Sequence, residues 1–196
     1  MVASVASAQQ SAPTLDAVLS SFRGVEGMEL RFREEKRIAL LSVPAISEGT
    51  VHYMRPGRLA RRTTSPSPQV VLIEGDELRM SEGGRVERID LAAQPVVRSF
   101  VDTFSELLRG DRAALERIYR VQFVPGEGAS WTLTLAPRTS PLDRFLREIR
   151  FVGDGTSLRS MVMTEVSGDV TTTTFRDVNT RRRFSADEAQ RIFSLR

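Results

Sequence analysis

His52 is the only histidine in the chain, and there is no cysteine at all. Within "GTVHYMRPGRLARR" it alternates with Val51 and Tyr53 on a segment of strand character. A lone imidazole there has no second base or nucleophile beside it. A transition-metal site needs several thiolate or imidazole donors, and thiol catalysis needs a thiol, so neither is expected. The carboxylates of Glu34-Glu35 and Asp187-Glu188 are sequence neighbours. Neighbours on a strand or helix project apart, so they read as solvated charges rather than an acid–base pair. "SEGGR" at 81–85 lacks the Gly-Lys-Ser/Thr ending and the strand–loop–helix setting of a phosphate loop; it reads as a hairpin turn. The chemistry left to this chain is non-covalent binding, without cofactor or metal.

Two binding chemistries compete. Arg55, Arg58, Arg61 and Arg62 follow Tyr53 closely, and arginines with an aromatic on one strand face can hold nucleic acid. Yet 28 basic residues stand against 25 acidic ones, for a net charge of +3. That gives little long-range attraction to a polyanion. Even the "RRR" at 181–183 is flanked by Asp177 and Asp187. No nucleic-acid partner is expected, and most of these arginines are assigned to outer, solvated strand faces, with Arg55 turned inward. The second chemistry is apolar. Met28, Leu30, Phe32, Leu72, Met80, Phe100, Phe104 and Trp131 spread over nearly every element. Most such residues form a core, but a curved sheet with helices over its mouth can also keep a slot for an apolar ligand.

The elements that must position these residues follow from periodicity. Leu15, Val18, Leu19 and Phe22 recur at helical spacing after Thr14, a good N-cap. "MELRFREEKR" alternates, with Met28, Leu30 and Phe32 on one face. Strands with turns at Pro56-Gly57, Gly75-Asp76 and Gly83-Gly84 continue to about residue 91. "PVVRSFVDTFSELLRGDRAALERIYR" breaks the pattern with a long apolar helical stripe ended by Gly110, then a shorter helix from Asp111. Strands return from Val121, and "SADEAQRIFSL" closes the chain as a helix with a Ser185–Glu188 capping box. This is α+β: a curved antiparallel sheet covered on one side by helices. Residues 14–196 form one domain. Residues 1–13 read as a signal-peptide remnant, with "ASA" at 6–8 as the small-x-small site, or as a disordered tail.

The order of these segments resembles the outer-membrane lipoprotein carrier family, the LolA-type periplasmic chaperones. The resemblance runs from about Leu15 to the end. A helix ending in Phe22 leads into "MELRFREEK". "GTVHYMRPGRLARR" then matches the family's strand ending in Arg-Pro followed by an apolar residue. "VLIEGDELRM" matches the next hairpin, the helical insert falls where the family has its lid, and "SGDVTTTTFRDV" resembles its late hairpin. Two positions depart: Arg61 and Arg79 stand where the family places tryptophans.

The resemblance implies an incomplete antiparallel barrel with a helical lid and an N-terminal helix. It implies a monomeric periplasmic carrier of lipoprotein acyl chains or other lipid, without catalysis. Its partners would be inner-membrane release machinery and an outer-membrane acceptor. Arg55 matches the arginine that hydrogen-bonds the lid in the empty state, and Leu59 an apolar position facing the cavity. The implied cavity is lined by Met28, Leu30, Phe32, Leu59, Leu72, Met80, Phe100, Phe104 and Trp131. A lipid-sensing regulatory module on the same fold is the alternative.

Overall fold

A computed structural model of the protein describes residues 12–195. The leader or tail expected over residues 1–13 therefore falls outside the described residues, except at its last two positions.

Helix α1 (Leu15–Arg23) forms as its spacing requires. The Thr14 hydroxyl accepts from the Ala17 amide, and Leu15, Val18, Leu19 and Phe22 are the buried stripe. Next come β1 (Gly27–Arg37), β2 (Ala45–Met54), β3 (Arg58–Ser65), β4 (Gln69–Glu74), β5 (Glu77–Glu82) and β6 (Arg85–Asp90), a meander of antiparallel neighbours. Helices α2 (Pro95–Arg109) and α3 (Arg112–Ile118) interrupt it. A second meander follows: β7 (Tyr119–Pro125), β8 (Ser130–Pro137), β9 (Leu146–Asp154), β10 (Ser157–Glu165) and β11 (Val170–Asn179). Because β11 pairs with β1, all eleven strands join one sheet in the order β6-β5-β4-β3-β2-β1-β11-β10-β9-β8-β7. The sheet is not closed. Its two edges are β6 and β7, and α2 with α3 is the connection between them. This is the open half-barrel with helices that the family resemblance implies.

Strand register decides which face each residue shares. Met28 pairs with Tyr53 on the face that α1 and α2 cover, and Leu133, Ile149 and Met163 belong to the same face on the other half of the sheet. On that inner face, Leu133, Leu135, Ile149 and Phe151 meet the buried stripe of α1 together with Leu107 and Leu115. The Phe104 ring sits edge-on against Phe151 at 6.3 Å. Each fully buried side chain here contributes about 2 kcal/mol through area removed from water. Gly110 ends α2 at φ 64, and a Cβ there would come 2.3 Å from the Leu19 carbonyl oxygen. Glycine thus both stops the helix and lets its end touch α1.

The last helix, α4 (Ala186–Ile192), starts with the expected capping box between Ser185 and Glu188. It packs on the opposite, outer face of the sheet, where Ala189 and Phe193 cover Ala60 and Leu72.

Candidate functional site

The inner faces of β1–β6 form a wall whose polarity changes from rung to rung. Register links Met28, Tyr53, Leu59, Ile73, Leu78 and Ile89 into one row across six strands. Every member is apolar or aromatic, and all but Tyr53 are half-buried. The next rung, two residues along each strand, holds Leu30, Val51, Arg61, Val71, Met80 and Glu87. The third begins with Phe32 and Gly49 but continues with Thr63, Gln69 and Glu82.

Helix α2 is tied at both ends beside the apolar row. Near its start, Arg98 bonds Asp76 in the β4–β5 turn and Asp102 on its own helix. Near its end, Leu108 packs with Val25, Tyr53 and Met28. Between these anchors Val97, Phe100, Val101 and Phe104 stay only half-buried. The Tyr119 hydroxyl hydrogen-bonds Thr103. Burial holds the Tyr119 phenol above its ordinary pKa, and the Thr103 hydrogen bond acts in the opposite direction.

A polar cluster interrupts the second rung. The Arg61 Nη2 donates to Glu34 Oε1 at 2.9 Å and to Ser47 Oγ at 3.4 Å. Thr173 donates to Glu34 Oε2 at 3.3 Å, and the Arg61 guanidinium lies 4.4 Å from the Phe32 ring centre.

The other arginines of the β2–β3 hairpin do different work. Arg55 donates to the Arg23 carbonyl at 2.5 Å and to the Val25 carbonyl at 3.3 Å. These acceptors lie at the carboxyl end of α1, so Arg55 meets a helix, but the N-terminal one rather than the central insert. The geometry suits a rigid multi-donor fork at a helix end that leaves carbonyls unbonded. On the outer face Arg62 donates to the carbonyls of Arg191, Ile192 and Ser194, closing the end of α4. Arg58 lies 4.8 Å from the Phe193 ring centre and 3.0 Å from Glu74. The expectation that these arginines lie on outer solvated faces is therefore corrected: Arg61 faces inward, and Arg58 and Arg62 are packed against the C-terminal segment. Arg79 is on the outer face as the register partner of Leu72.

Of the residues assigned to the cavity from sequence, Met28, Leu30, Phe32, Leu59, Met80 and Trp131 share the inner face. Met28, Leu59 and Met80 are half-buried there, whereas Leu30, Phe32 and Trp131 are buried. Trp131 is 1 % exposed, stacks on Phe123 and donates its indole N–H to the Gly155 carbonyl at 2.8 Å. It is a core residue of the β7–β10 half. Phe100 and Phe104 reach that core from α2. Leu72 is on the wrong face: it is register partner to Ala60, 1 % exposed, under α4. "QVVLIE" is apolar on both faces, so alternation alone could not choose a side. Tyr53, Ile73, Leu78 and Ile89 were missed. The signal that could have found them is cross-strand register from the two short hairpins at 75–76 and 83–84, which carries the face of Leu59 across to β6.

His52 is buried on the outer face, edge-on to Phe184 at 6.1 Å, with Nε2 4.0 Å from Glu29. Burial lowers its pKa, the Glu29 carboxylate partly opposing. Among the described residues no group of three or more His, Asp or Glu side chains could hold a metal. A separate open cleft of about 550 Å³ lies between α1 and the α2–α3 corner. Its lining includes Asp16, Arg23, Arg109 and Arg112, so it is polar and distinct from the apolar wall.

The family described as outer membrane lipoprotein carrier protein LolA-like matches residues 7–191. No curated protein matches the sequence. Among solved structures, a DUF1329 family protein from Desulfovibrio piger is similar with a TM-score of 0.53 at 10 % identity, over 92 % of this chain and 95 % of that one. A putative outer membrane lipoprotein-sorting protein domain from Vibrio parahaemolyticus gives a TM-score of 0.50 at 12 % identity, over 89 % and 93 %. A chain of the Pseudomonas aeruginosa MucA/MucB complex gives a TM-score of 0.51 at 15 % identity, over 90 % of this chain but 59 % of that one. At these identities the structural likeness establishes the fold, and the family match establishes descent. The chain belongs to the LolA-like family of outer membrane lipoprotein carrier proteins.

Proposed function

We propose that this protein carries acyl chains, of lipoproteins or of another lipid, along its inner wall and performs no catalysis. One observation carries this reading: the unbroken row Met28–Tyr53–Leu59–Ile73–Leu78–Ile89, half-buried at every position but Tyr53 and lying beside a helix tied at both ends. Six strands at their usual spacing span roughly 24 Å, enough for a long acyl chain to lie across them. Each methylene removed from water gains about 0.8 kcal/mol, so such a chain cannot travel through water bare. The wall's partial exposure suits loose holding and release. The similar lipoprotein-sorting domain supports a place outside the cytoplasm. Release machinery at the inner membrane and an acceptor at the outer membrane would be the partners.

The MucA/MucB likeness favours a second reading, a module of the same fold that binds lipid and signals to a protein. The chain covers little more than half of that relative, so the carrier reading is preferred. Native mass spectrometry of the protein purified from a bacterial periplasm, followed by lipid extraction, tests it. Bound acyl lipid that disappears in Leu59→Glu supports the carrier; protein that is free of lipid and takes up no fluorescent fatty acid refutes it.

A further inference from the structure

We propose that the Arg61–Glu34 pair is a head-group site, and that it takes a lipid head of no net charge carrying acceptor oxygens and hydrogen-bond donors together. This rests on the carrier reading and names the class of cargo. Arg61 stands between Val51 and Val71 on its rung of the wall. An arginine in that position has to be held, and three side chains hold it. Glu34 of β1 takes its Nη2, Ser47 of β2 supports the same nitrogen, and the Phe32 ring lies under the guanidinium. Thr173 of β11, itself 4 % exposed, fixes the far oxygen of Glu34. Among the described residues the Nε and Nη1 of Arg61 have no protein acceptor, and the Arg61 and Glu34 side chains stay 28 % and 24 % exposed.

The polarity of the wall fixes the ligand's orientation. The all-apolar row is one rung away on the α2 side, and Thr63, Gln69 and Glu82 lie one rung beyond. Leu59 of that row precedes Arg61 by two residues on the same strand, so a lipid whose head rests at Arg61 feeds its acyl chains into the row at Leu59. The charge there is already balanced. An anionic head reaching Arg61 would meet the Glu34 carboxylate, and a cationic head reaching Glu34 would meet the guanidinium. A head that offers oxygens to Arg61 and N–H or O–H groups to Glu34 satisfies both. Phosphoethanolamine and a hexosyl group share that chemistry.

The test is a native mass-spectrometric competition on delipidated full-length protein, using lipids with identical diacyl chains and four heads: phosphoethanolamine, glucosyl, phosphoglycerol and a bare glycerol hydroxyl. The expected result is that phosphoethanolamine or glucosyl lipid is favoured at least about tenfold over phosphoglycerol lipid. Whichever of the two wins identifies the source of the head. Arg61→Met and, separately, the near-isosteric Glu34→Gln should reduce that preference to within about twofold while diacylglycerol still binds. Phosphoglycerol lipid binding as well as the neutral heads, or a preference unchanged in both variants, would overturn the head-group site alone. Failure of the wild type to hold any of the four would overturn the carrier reading beneath it.

Discussion

Arg55 and Arg23 form a relay at the end of α1. The Arg55 guanidinium donates to the Arg23 carbonyl at 2.5 Å, and the Arg23 guanidinium donates to the Gly110 carbonyl at 3.1 Å. Through two arginines the β2–β3 hairpin holds α1, and α1 holds the corner where α2 turns into α3. The chain of contacts explains why an Arg-Pro hairpin far in sequence from the insert bears on its position.

Breaking that relay should loosen the helices without unfolding the sheet. Arg55→Ala is expected to lower stability by about 1 kcal/mol, since charge-assisted bonds at a partly exposed site are discounted by solvent. Hydrogen exchange should rise in α1 and around Gly110 and stay unchanged in β8 and β9. Uniform loss of protection across the sheet would contradict the relay.

The two leucines one sheet-thickness apart should separate binding from stability. Leu59 lines the apolar row half-buried, and Leu72 is sealed under α4. Leu59→Glu is expected to abolish acyl-lipid uptake with a modest change in urea midpoint. Leu72→Ala should cost about 2–4 kcal/mol from the cavity it leaves, while the folded fraction still takes up lipid. The reverse pattern would mean the faces are misassigned.

Arg62 closes the end of α4, so removing it strands carbonyl groups. Burial holds its pKa below the ordinary arginine value, yet the guanidinium stays charged at neutral pH. Arg62→Met should destabilise by about 2 kcal/mol and make residues 186–195 sensitive to proteolysis while β7–β10 remain protected. Equal sensitivity of wild type and variant would refute this.

Acid should act at two places. His52 has a folded pKa below its ordinary value of 6.5 because it is buried, so the unfolded chain binds its proton first. Its effect is absent above that value and develops as destabilisation when pH falls below 6.5 toward the folded pKa. His52→Gln should flatten the stability profile in that window. Glu188 is lowered to about 2, from an ordinary 4.5, by the Ser185 amide and the Arg182 guanidinium. Its stabilisation is present above 4.5 and is lost as pH falls toward 2, which Glu188→Gln should abolish. Thermal unfolding from pH 7 to 2 reads both.

Much of the fold is legible in short-range patterns. The α1 stripe, the Ser185 capping box and the Gly110 stop are local, and local rules place them. The inner face of β1 follows from strict alternation of Met28, Leu30 and Phe32 with Glu29 and Arg31. The errors occur where a residue's surroundings come from distant chain. Leu72 faces outward because α4, more than a hundred residues later, covers it. Arg61 on the inner face draws its partners from afar: Glu34 of β1 accepts from it, and Thr173 of β11 holds Glu34. Arg55 finds α1 rather than α2 because the Gly27–Met54 pairing at the start of β1 brings the hairpin beside Arg23. None of these long-range facts has a signature in the local sequence.

The most direct measurement is photocrosslinking with a diacyl lipid that carries a diazirine at mid-chain, bound to delipidated protein and mapped by peptide mass spectrometry. The account predicts adducts on the inner row, at Leu59, Ile73, Leu78 or Ile89, and on the half-buried side of α2 at Val97 or Phe100. Adducts confined to the outer face, around Val70, Phe184 and Ile192, or no saturable adduct at all, would contradict it.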